Sequence, residues 1–326
     1  MSAISPKNCK VYYRKETSFC EGGTGEFKAF DLTDQLTEDF EIGVPEKLSA
    51  MKNAIGRGKY PTVLIEGGYK PGEQSVSFDL LTGLFFYYAL GSDTVTGENP
   101  PYTHTIASSD SSLPSFEMFI KFPFTTDYMY HLKGVKVKSL EVTAEVGEET
   151  PIKASAELII GKIETTVTSQ TIPALSLRRF TFPDATISIS YNSENISSNT
   201  VLNKFTLKIE NEIEYKNQIG TEYPIRCLEG PRKITLSADQ MIRTSTIYTL
   251  AQTYYREYTT PITGSFQLVR TANTDTISIS LSDIILKPMK HKFPSWESKE
   301  LMQELQFEQG PSFDMTVTVK DAIASY

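Results

Sequence analysis

Histidine is the residue type used most often for acid–base catalysis and metal binding, and this sequence contains only three. His104 lies within residues 102–105, His131 begins a predicted strand, and His291 lies in a lysine-rich loop. No two of them have the spacing of metal ligands. We therefore interpret each histidine as a structural residue and predict no metal site.

The cysteines lead to the same conclusion. Cys9, Cys20 and Cys227 are odd in number, widely spaced and outside any CxxC pattern. That arrangement indicates neither a disulfide framework nor a zinc site, and we expect the thiols to be buried.

The carboxylates also lack a catalytic arrangement. Glu148, Glu149 and Glu157 fall on predicted hairpin turns or alternating strands, where contact with solvent accounts for them. The glycines at 22, 23 and 25 lack the following helix of a phosphate-binding loop, and no nucleophile elbow, P-loop or HExxH sequence occurs. We predict that the protein is not an enzyme and needs no cofactor.

Length and charge limit the remaining classes. At 326 residues the chain is long enough for about two domains. Its net charge of −8 argues against sequence-blind adhesion to nucleic acid, which requires a basic surface. The sequence has neither a signal-peptide pattern nor an apolar run of membrane-spanning length, so we expect cytoplasmic synthesis and no membrane contact.

One stretch occurs twice in the chain. Residues 52–67 and 216–230 share Lys-Asn, Ile-Gly, Tyr-Pro and Glu-Gly in the same order, with one residue gapped. So many ordered identities in a short window indicate a tandem duplication. We predict a first domain at 1–170, which includes an N-terminal extension, and a second at 171–326.

Each copy begins with an alternating strand followed by a helix. In the first copy the strand is 73–80 and the helix 80–91, which ends at Gly91. In the second copy the strand is 229–238, and Asp239 is the expected N-cap of a helix at 241–251. Further strands are predicted at 114–121 and 261–269, so the fold class is mainly β.

A long hairpin follows in each copy, and both hairpins change side-chain parity midway. Apolar residues occupy odd positions and then even ones in the first copy (Val135, Val137, Leu140, Val142), and make the same change of phase in the second (Ile279, Leu281, Ile284, Leu286). Since side chains alternate faces along a strand, this switch requires a bulge or twist. The predicted return strands are 152–160 and 301–307, each with one buried and one wet face.

The order of these segments carries a family resemblance. In the first copy the resemblance is carried by Glu66-Gly67-Gly68, by the strand and helix that end at Gly91, and by the segments 101–106, 113–116 and 134–145. In the second copy it is carried by the segment 223–233. In these segments the chain resembles the tail tube proteins of long-tailed phages and archaeal viruses. The resemblance covers roughly residues 50–326. It implies two tandem β-sandwich or half-barrel tube domains, each with one flanking α-helix and a long lumen-lining β-hairpin.

The same resemblance implies a structural role in the virion tail. Rings of the protein would stack into a hollow tube, the conduit for genome ejection, through which viral DNA passes without specific binding. Two domains per chain favour a homotrimeric ring with pseudo-sixfold symmetry, and a hexamer with the second domain outside is the alternative. The implied partners are further copies of the chain and the tape measure, tail terminator and baseplate proteins.

Two sets of site residues follow from this interpretation. Because of the parity switch, the sequence does not decide for each strand which of its two faces lines the lumen. The wet faces of the hairpins, whose acidity would repel phosphates, are the lumen-lining candidates: Lys136, Lys138, Glu141, Thr143, Glu145, Lys153, Ser155, Glu157, Ser278, Ser280, Ser282, Gln303, Glu304 and Gln306. The tips at 146–151 and 287–299 and the turn at 192–199 would contact the next ring, with these candidates: Glu148, Glu149, Asn195 and Trp296.

Two rival functions remain open from the sequence. A carbohydrate-binding or adhesin β-sandwich would bind polysaccharide through exposed aromatic side chains. A tail terminator or baseplate hub would share the fold but form a single ring.

Overall fold

The computed structural model describes residues 10–29, 46–53, 62–122, 128–147, 151–166, 178–191, 194–198, 202–241, 261–271, 274–287 and 302–326. These residues form strands, one α-helix, α1 (Leu84–Leu90), and one short 3-10 turn (Phe182–Asp184). The predicted mainly β class is therefore confirmed. Within this part of the chain, no helix has the length and apolar character needed to span a bilayer.

The strands divide between the two halves of the sequence. Those of the first half are β1 (Lys10–Lys15), β2 (Lys28–Ala29), β3 (Glu46–Asn53), β4 (Thr62–Lys70), β5 (Gly72–Asp79), β6 (Gly91–Thr96), β7 (Tyr102–Ser108), β8 (Phe116–Phe122), β9 (Tyr128–Glu145), β10 (Lys153–Ile160) and β11 (Lys162–Thr166). Those of the second half are β12 (Ala185–Tyr191), β13 (Glu194–Ser198), β14 (Leu202–Lys216), β15 (Arg226–Met241), β16 (Ile262–Thr271), β17 (Asp275–Leu286) and β18 (Met302–Asp321).

Nearly all of these strands belong to one antiparallel sheet, which curls as a half-barrel. Its main path runs β13-β12-β16-β17-β18-β15-β14-β9-β8-β1-β2. The second part of β9 also pairs with β10, which pairs in turn with β5, and β7 joins the last part of β18. Strands β3 and β4 form a separate hairpin.

The two halves repeat the same strand order. The first half is ordered β2-β1-β8-β9-β10-β5 and the second β13-β12-β16-β17-β18-β15, with antiparallel pairing throughout. The stretch that recurs in the sequence lies on the β3–β4 hairpin in one half and on the β14–β15 hairpin in the other. The strand order thus repeats between the halves, which is consistent with the predicted tandem duplication.

The halves share both their sheet and their core. Strand β14 of the second half pairs with β9 of the first, and β18 pairs with β7. One cluster of buried apolar side chains extends from Tyr13 to Tyr326 and draws on both halves. The division into domains 1–170 and 171–326 remains a prediction.

The first predicted strand and helix are confirmed. Side chains of β5 alternate between buried and exposed, as a strand with one wet face requires. Helix α1 is shorter than the predicted 80–91 and is buried on all sides, because its sequence is apolar all round. Gly91 ends it with φ 104°, and its N–H donates to the Tyr87 carbonyl, a conformation that favours glycine.

The parity switch is also confirmed, and a bulge causes it in both hairpins. In β9 the register against β10 skips Lys138, and in β17 the register against β16 leaves Asp283 as the additional residue, with φ 54°. The apolar residues on both sides of each bulge are all buried. One inserted residue thus keeps a single face against the core.

Three details of the prediction are wrong. Asp239 is not an N-cap, because β15 continues to Met241; the rest of the predicted helix lies outside the described residues. The predicted turn at 192–199 includes strand β13 at 194–198. In the second hairpin, residues 302–308 pair with β15, and β17 pairs mostly with 314–320, because β18 is long enough to serve both neighbours.

Candidate functional site

The exposed side of the sheet is the most extensive polar surface built by the described strands. Along β10, the last part of β9, most of β14 and the last part of β15, every second side chain is partly or fully exposed while its neighbours enter the core. Because the strands are in register, these side chains form rows across the sheet. We call this surface the polar face, and four of its rows are Asp79-Lys153-Thr143-Thr206-Ser237-Gln306, Ser77-Ser155-Glu141-Lys208-Thr235-Glu308, Ser75-Glu157-Ser139-Glu210-Lys233, and Glu145-Lys204-Asp239-Glu304. Ser139, beside the bulge in β9, is the one buried member of these rows.

Acidic groups dominate these four rows. Carboxylates outnumber lysines two to one, with Asp79, Glu141, Glu145, Glu157, Glu210, Asp239, Glu304 and Glu308 against Lys153, Lys204, Lys208 and Lys233. Some of these lysines and carboxylates form ion pairs, either between neighbouring strands or along one strand. Lys208 and Glu210, for example, lie 2.7 Å apart on β14. The hydrogen bond from Lys208 holds the pKa of Glu210 below its usual value. The excess negative charge therefore persists at neutral pH.

The polar face changes character in the second half. There, Ser278, Ser280 and Ser282 on β17 continue into hydroxyl-bearing residues of β16, β12 and β18. Ser188, Ser265 and Thr316 are among the residues that line a shallow groove of about 330 Å³ on this side. Hydroxyl groups offer hydrogen bonds without charge, so this part of the face is polar and sparsely charged, with Asp314 opposite Ser282 as the one carboxylate of the groove.

All but two of the predicted lumen-lining residues lie on the exposed side of their strands: Lys138, Glu141, Thr143, Glu145, Lys153, Ser155, Glu157, Ser278, Ser280, Ser282, Glu304 and Gln306. Whether this side lines a lumen remains a prediction. Lys136 and Gln303 were assigned wrongly to the wet face, because both side chains are buried. Gln303 has the same parity as Leu305 and Phe307, so it faces the core.

Lys136 is buried because other segments cover its side of β9. Its side chain is only 2% exposed and its Nζ donates to the Glu229 carboxylate at 2.6 Å and to Ser112 at 3.1 Å, while Phe19 packs over it. Burial by itself raises the pKa of Glu229, but hydrogen bonds from Lys136, the Leu113 N–H and Ser112 outweigh it and lower the pKa. This ion pair joins β9 of the first half to β15 of the second.

A second buried polar cluster surrounds His104 on β7. Its Nδ1 lies 2.8 Å from the Asp93 carboxylate and its Nε2 lies 2.7 Å from the Ile323 carbonyl oxygen. Both partners only accept hydrogen bonds, so the geometry favours an imidazolium that donates from both nitrogens. Burial alone lowers the pKa of His104, but these hydrogen bonds outweigh it and raise the pKa. Asp321 and Tyr326 complete the cluster, which holds the last residues of the chain.

The thiols that the structure describes are poor nucleophiles. Burial raises the pKa of Cys20 to about 12 and that of Cys227 to about 11, so both remain protonated at neutral pH. Among the described residues, no group of three or more histidine, cysteine, aspartate or glutamate side chains is arranged to hold a metal ion. The chemistry that this region supports is polar contact and charge repulsion.

The predicted inter-ring residues are only partly described. Asn195 is exposed on β13, where its side-chain oxygen accepts a hydrogen bond from the Ser197 N–H at 3.1 Å. Glu148, Glu149 and Trp296 lie outside the described residues.

The sequence prediction also missed part of the polar face. Strands β5, β14 and β15 contribute exposed side chains such as Ser75, Lys208 and Thr235 to the rows described above. The signal was present as polar and apolar alternation in 204–210 and 233–239. Their neighbours in the sheet could not be read from that alternation, because it says nothing of which strands pair.

The fold and this surface define a mainly β structural protein, with a continuous curled sheet that exposes a broad acidic and hydroxyl-rich face. A comparison with protein families matches residues 6–309 to a family described as phage tail tube protein, and the chain belongs to that family. No curated protein matches the chain. The predicted resemblance is thereby confirmed, and the chain is a structural component of a viral tail.

Proposed function

We propose that three copies of the chain close into a ring, that rings stack into the tail tube, and that the polar face lines the channel through which the genome is ejected. The observation that carries this proposal is the junction between the two halves. Strand β14 of the second half adds directly to β9 of the first, from Lys204 opposite Glu145 to Glu210 opposite Ser139. One half is thus docked onto the edge of the other within a single chain.

The duplication implies that the same junction is available once more. Strand β17 is the counterpart of β9, and beyond Ile284 its described residues pair only with β18. The counterpart of β14 in the first half is β3 together with the residues before it, because the repeated stretch begins at the end of both strands; the residues before β3, from 30 to 45, lie outside the described residues. A neighbouring copy would supply it, and a head-to-tail contact of this kind closes into a ring when its rotation allows. Closure would also remove the exposed sheet edges.

This arrangement favours three chains over six. In the alternative hexamer the second domain lies outside the tube. Here β14 and β15 continue the sheet that carries β9 and β10, which supports equal roles for both halves. Three chains would then supply six similar units.

The charge of the polar face suits a channel for DNA. Carboxylates repel phosphates, and hydroxyl groups interact with water without binding the duplex tightly. The lumen would therefore pass DNA without specific binding. Tape measure, tail terminator and baseplate proteins would meet the two ends of such a tube.

Electron microscopy and native mass spectrometry of the purified protein test the proposal. We expect tubes built of rings, with a ring mass of about 110 kDa from three chains of 36.5 kDa. A ring of six chains would contradict the trimer. Single rings that never stack would indicate a tail terminator or baseplate hub instead, and monomers would contradict assembly altogether.

A further inference from the structure

The exposed apolar side chains of the polar-face strands collect at the two ends of those strands. At one end, the loop and strand start from 217 to 228, which we call the hairpin tip, expose Ile219, Ile225 and Leu228. Ile219 has no shielding at all, and the other two are about half exposed. At the other end, Val146 follows β9 and is 52% exposed.

These two apolar positions lie at opposite ends of the same strand. The Val146 N–H donates to the Asn203 carbonyl at 2.9 Å, so Val146 sits beside the start of β14. Strand β14 then runs for 15 residues to the hairpin tip. At roughly 3.3 Å per residue the two positions are about 50 Å apart.

The hairpin tip is an ordered structure that presents its isoleucine outward. The Gln218 N–H donates to the Thr221 hydroxyl oxygen at 3.1 Å, and the hydroxyl donates back to the Gln218 carbonyl at 2.8 Å. Gly220 adopts φ 88°, a conformation that favours glycine, with open space around its Cα. A turn closed in this way fixes Ile219 in solvent, where it contributes nothing to the core of its own chain.

The repeated sequence points to the same surface. The shared Ile-Gly and Tyr-Pro pairs stand at 219–220 and 223–224, and again at 55–56 and 60–61, in the corresponding stretch of the first half. The latter residues lie outside the described part of the chain. The full exposure of Ile219 has no explanation in the folding of one chain, and an interface explains both that exposure and the recurrence of the Ile-Gly pair in the sequence.

We infer that the hairpin tip packs against the Val146 end of a second copy of this chain in the adjoining ring. This inference rests on the proposed function, in which strand ends face neighbouring rings. A contact between unlike surfaces at opposite ends of one molecule propagates without limit when it repeats along the tube axis, because no rotation then brings it back on itself. Such a contact is what a tube of variable length requires, and apolar burial supplies its driving force.

The first test removes the apolar groups of the tip. In the double variant Ile219→Ser, Leu228→Ser we expect rings of three chains as in the parent, but a fraction of rings in tubes that is lower by about tenfold or more, because burying one such side chain corresponds to at least that factor. Val95→Ser is the matched control, since Val95 is 38% exposed but lies on β6, whose described pairing is with β7 and not with β9, β14 or β15.

The outcomes of this test separate the two proposals. If the parent stacks and the tip variant stacks equally well, the contact is wrong while the tube remains. If the parent forms no rings, the proposed function fails and the contact with it. Equal loss of stacking in Val95→Ser would also overturn the contact, because the effect would then be general to exposed apolar groups.

The second test identifies the occupant. Because Cys227 is a free thiol within the tip, this test uses a Cys227→Ser background. In that background the double variant Ile219→Cys, Val146→Cys should give a ladder of cross-linked chains on mild oxidation, whereas each single variant should remain monomeric on a non-reducing gel, like the background protein. Dimers from Ile219→Cys alone would show tip-to-tip contact and overturn the inference. Absence of a ladder from assembled tubes of the double variant would do so as well.

Discussion

Replacing Lys136 by methionine tests whether this residue joins the halves or faces a channel. The change removes the 2.6 Å hydrogen bond to Glu229 and leaves that carboxylate with the Leu113 N–H and Ser112 as donors. Removing one partner of a fully buried pair costs about 3–5 kcal/mol. Because the Glu229 side chain is 19% exposed, we expect a cost at or just below the lower limit of that range, about 2–3 kcal/mol.

Two further variants make this value interpretable. Lys138→Met is the matched control two residues along β9, because Lys138 and its partner Glu73 are both well exposed, and its cost should stay below about 1 kcal/mol. The double variant Lys136→Met, Glu229→Gln removes both charges. It should be less destabilised than the sum of the two single variants, which measures the coupling between the charges.

Urea unfolding of the unassembled chain, followed by circular dichroism, provides the assay. The midpoint should fall for Lys136→Met with the slope unchanged, since the same surface is exposed on unfolding. If Lys136→Met costs no more than Lys138→Met, the ion pair does not hold the halves together and our reasoning is wrong. A purely luminal lysine would alter genome ejection and leave the midpoint in place.

Three other predictions follow from the geometry. Because the pKa of His104 is raised on folding, the stability that its protonated form contributes is fully present below about pH 6.5 and is lost as pH rises through the folded pKa. The difference in urea midpoint between the parent and His104→Asn should therefore shrink from pH 6 to pH 9. An equal difference at both pH values would contradict the imidazolium. Glu157→Lys combined with Glu304→Lys should slow genome ejection, most at low salt, while rings still form; unchanged ejection would count against an acidic channel. Gly134→Ala should destabilise by about 2 kcal/mol or more, because Gly134 has a φ of 63° and an added Cβ would collide with the Cys20 sulfur. Gly25→Ala, in open space, should be nearly neutral, and similar melting temperatures for the two variants would refute this prediction.

The local patterns in the sequence were reliable wherever alternation met a one-sided sheet. The strand at 73–80, the bulges near Lys138 and Asp283 and the helix end at Gly91 all follow from side-chain period and glycine conformation. Predictions failed where a neighbour decides the outcome. Asp239 has the residue type of an N-cap, but pairing with Glu304 on β18 and Lys204 on β14 keeps it in a strand.

The mainly β class, the repeated stretch and the acidity could all be read from the residues in order, because alternation, repeats and charge are properties of the chain itself. The pairing of β14 with β9, the burial of Lys136 under Phe19 and Ser112, and the contact of His104 with the Ile323 carbonyl became apparent only in the folded chain. Those contacts join residues far apart in the chain. Pairing partners and burial depend on which segments meet in space, and no local pattern records that.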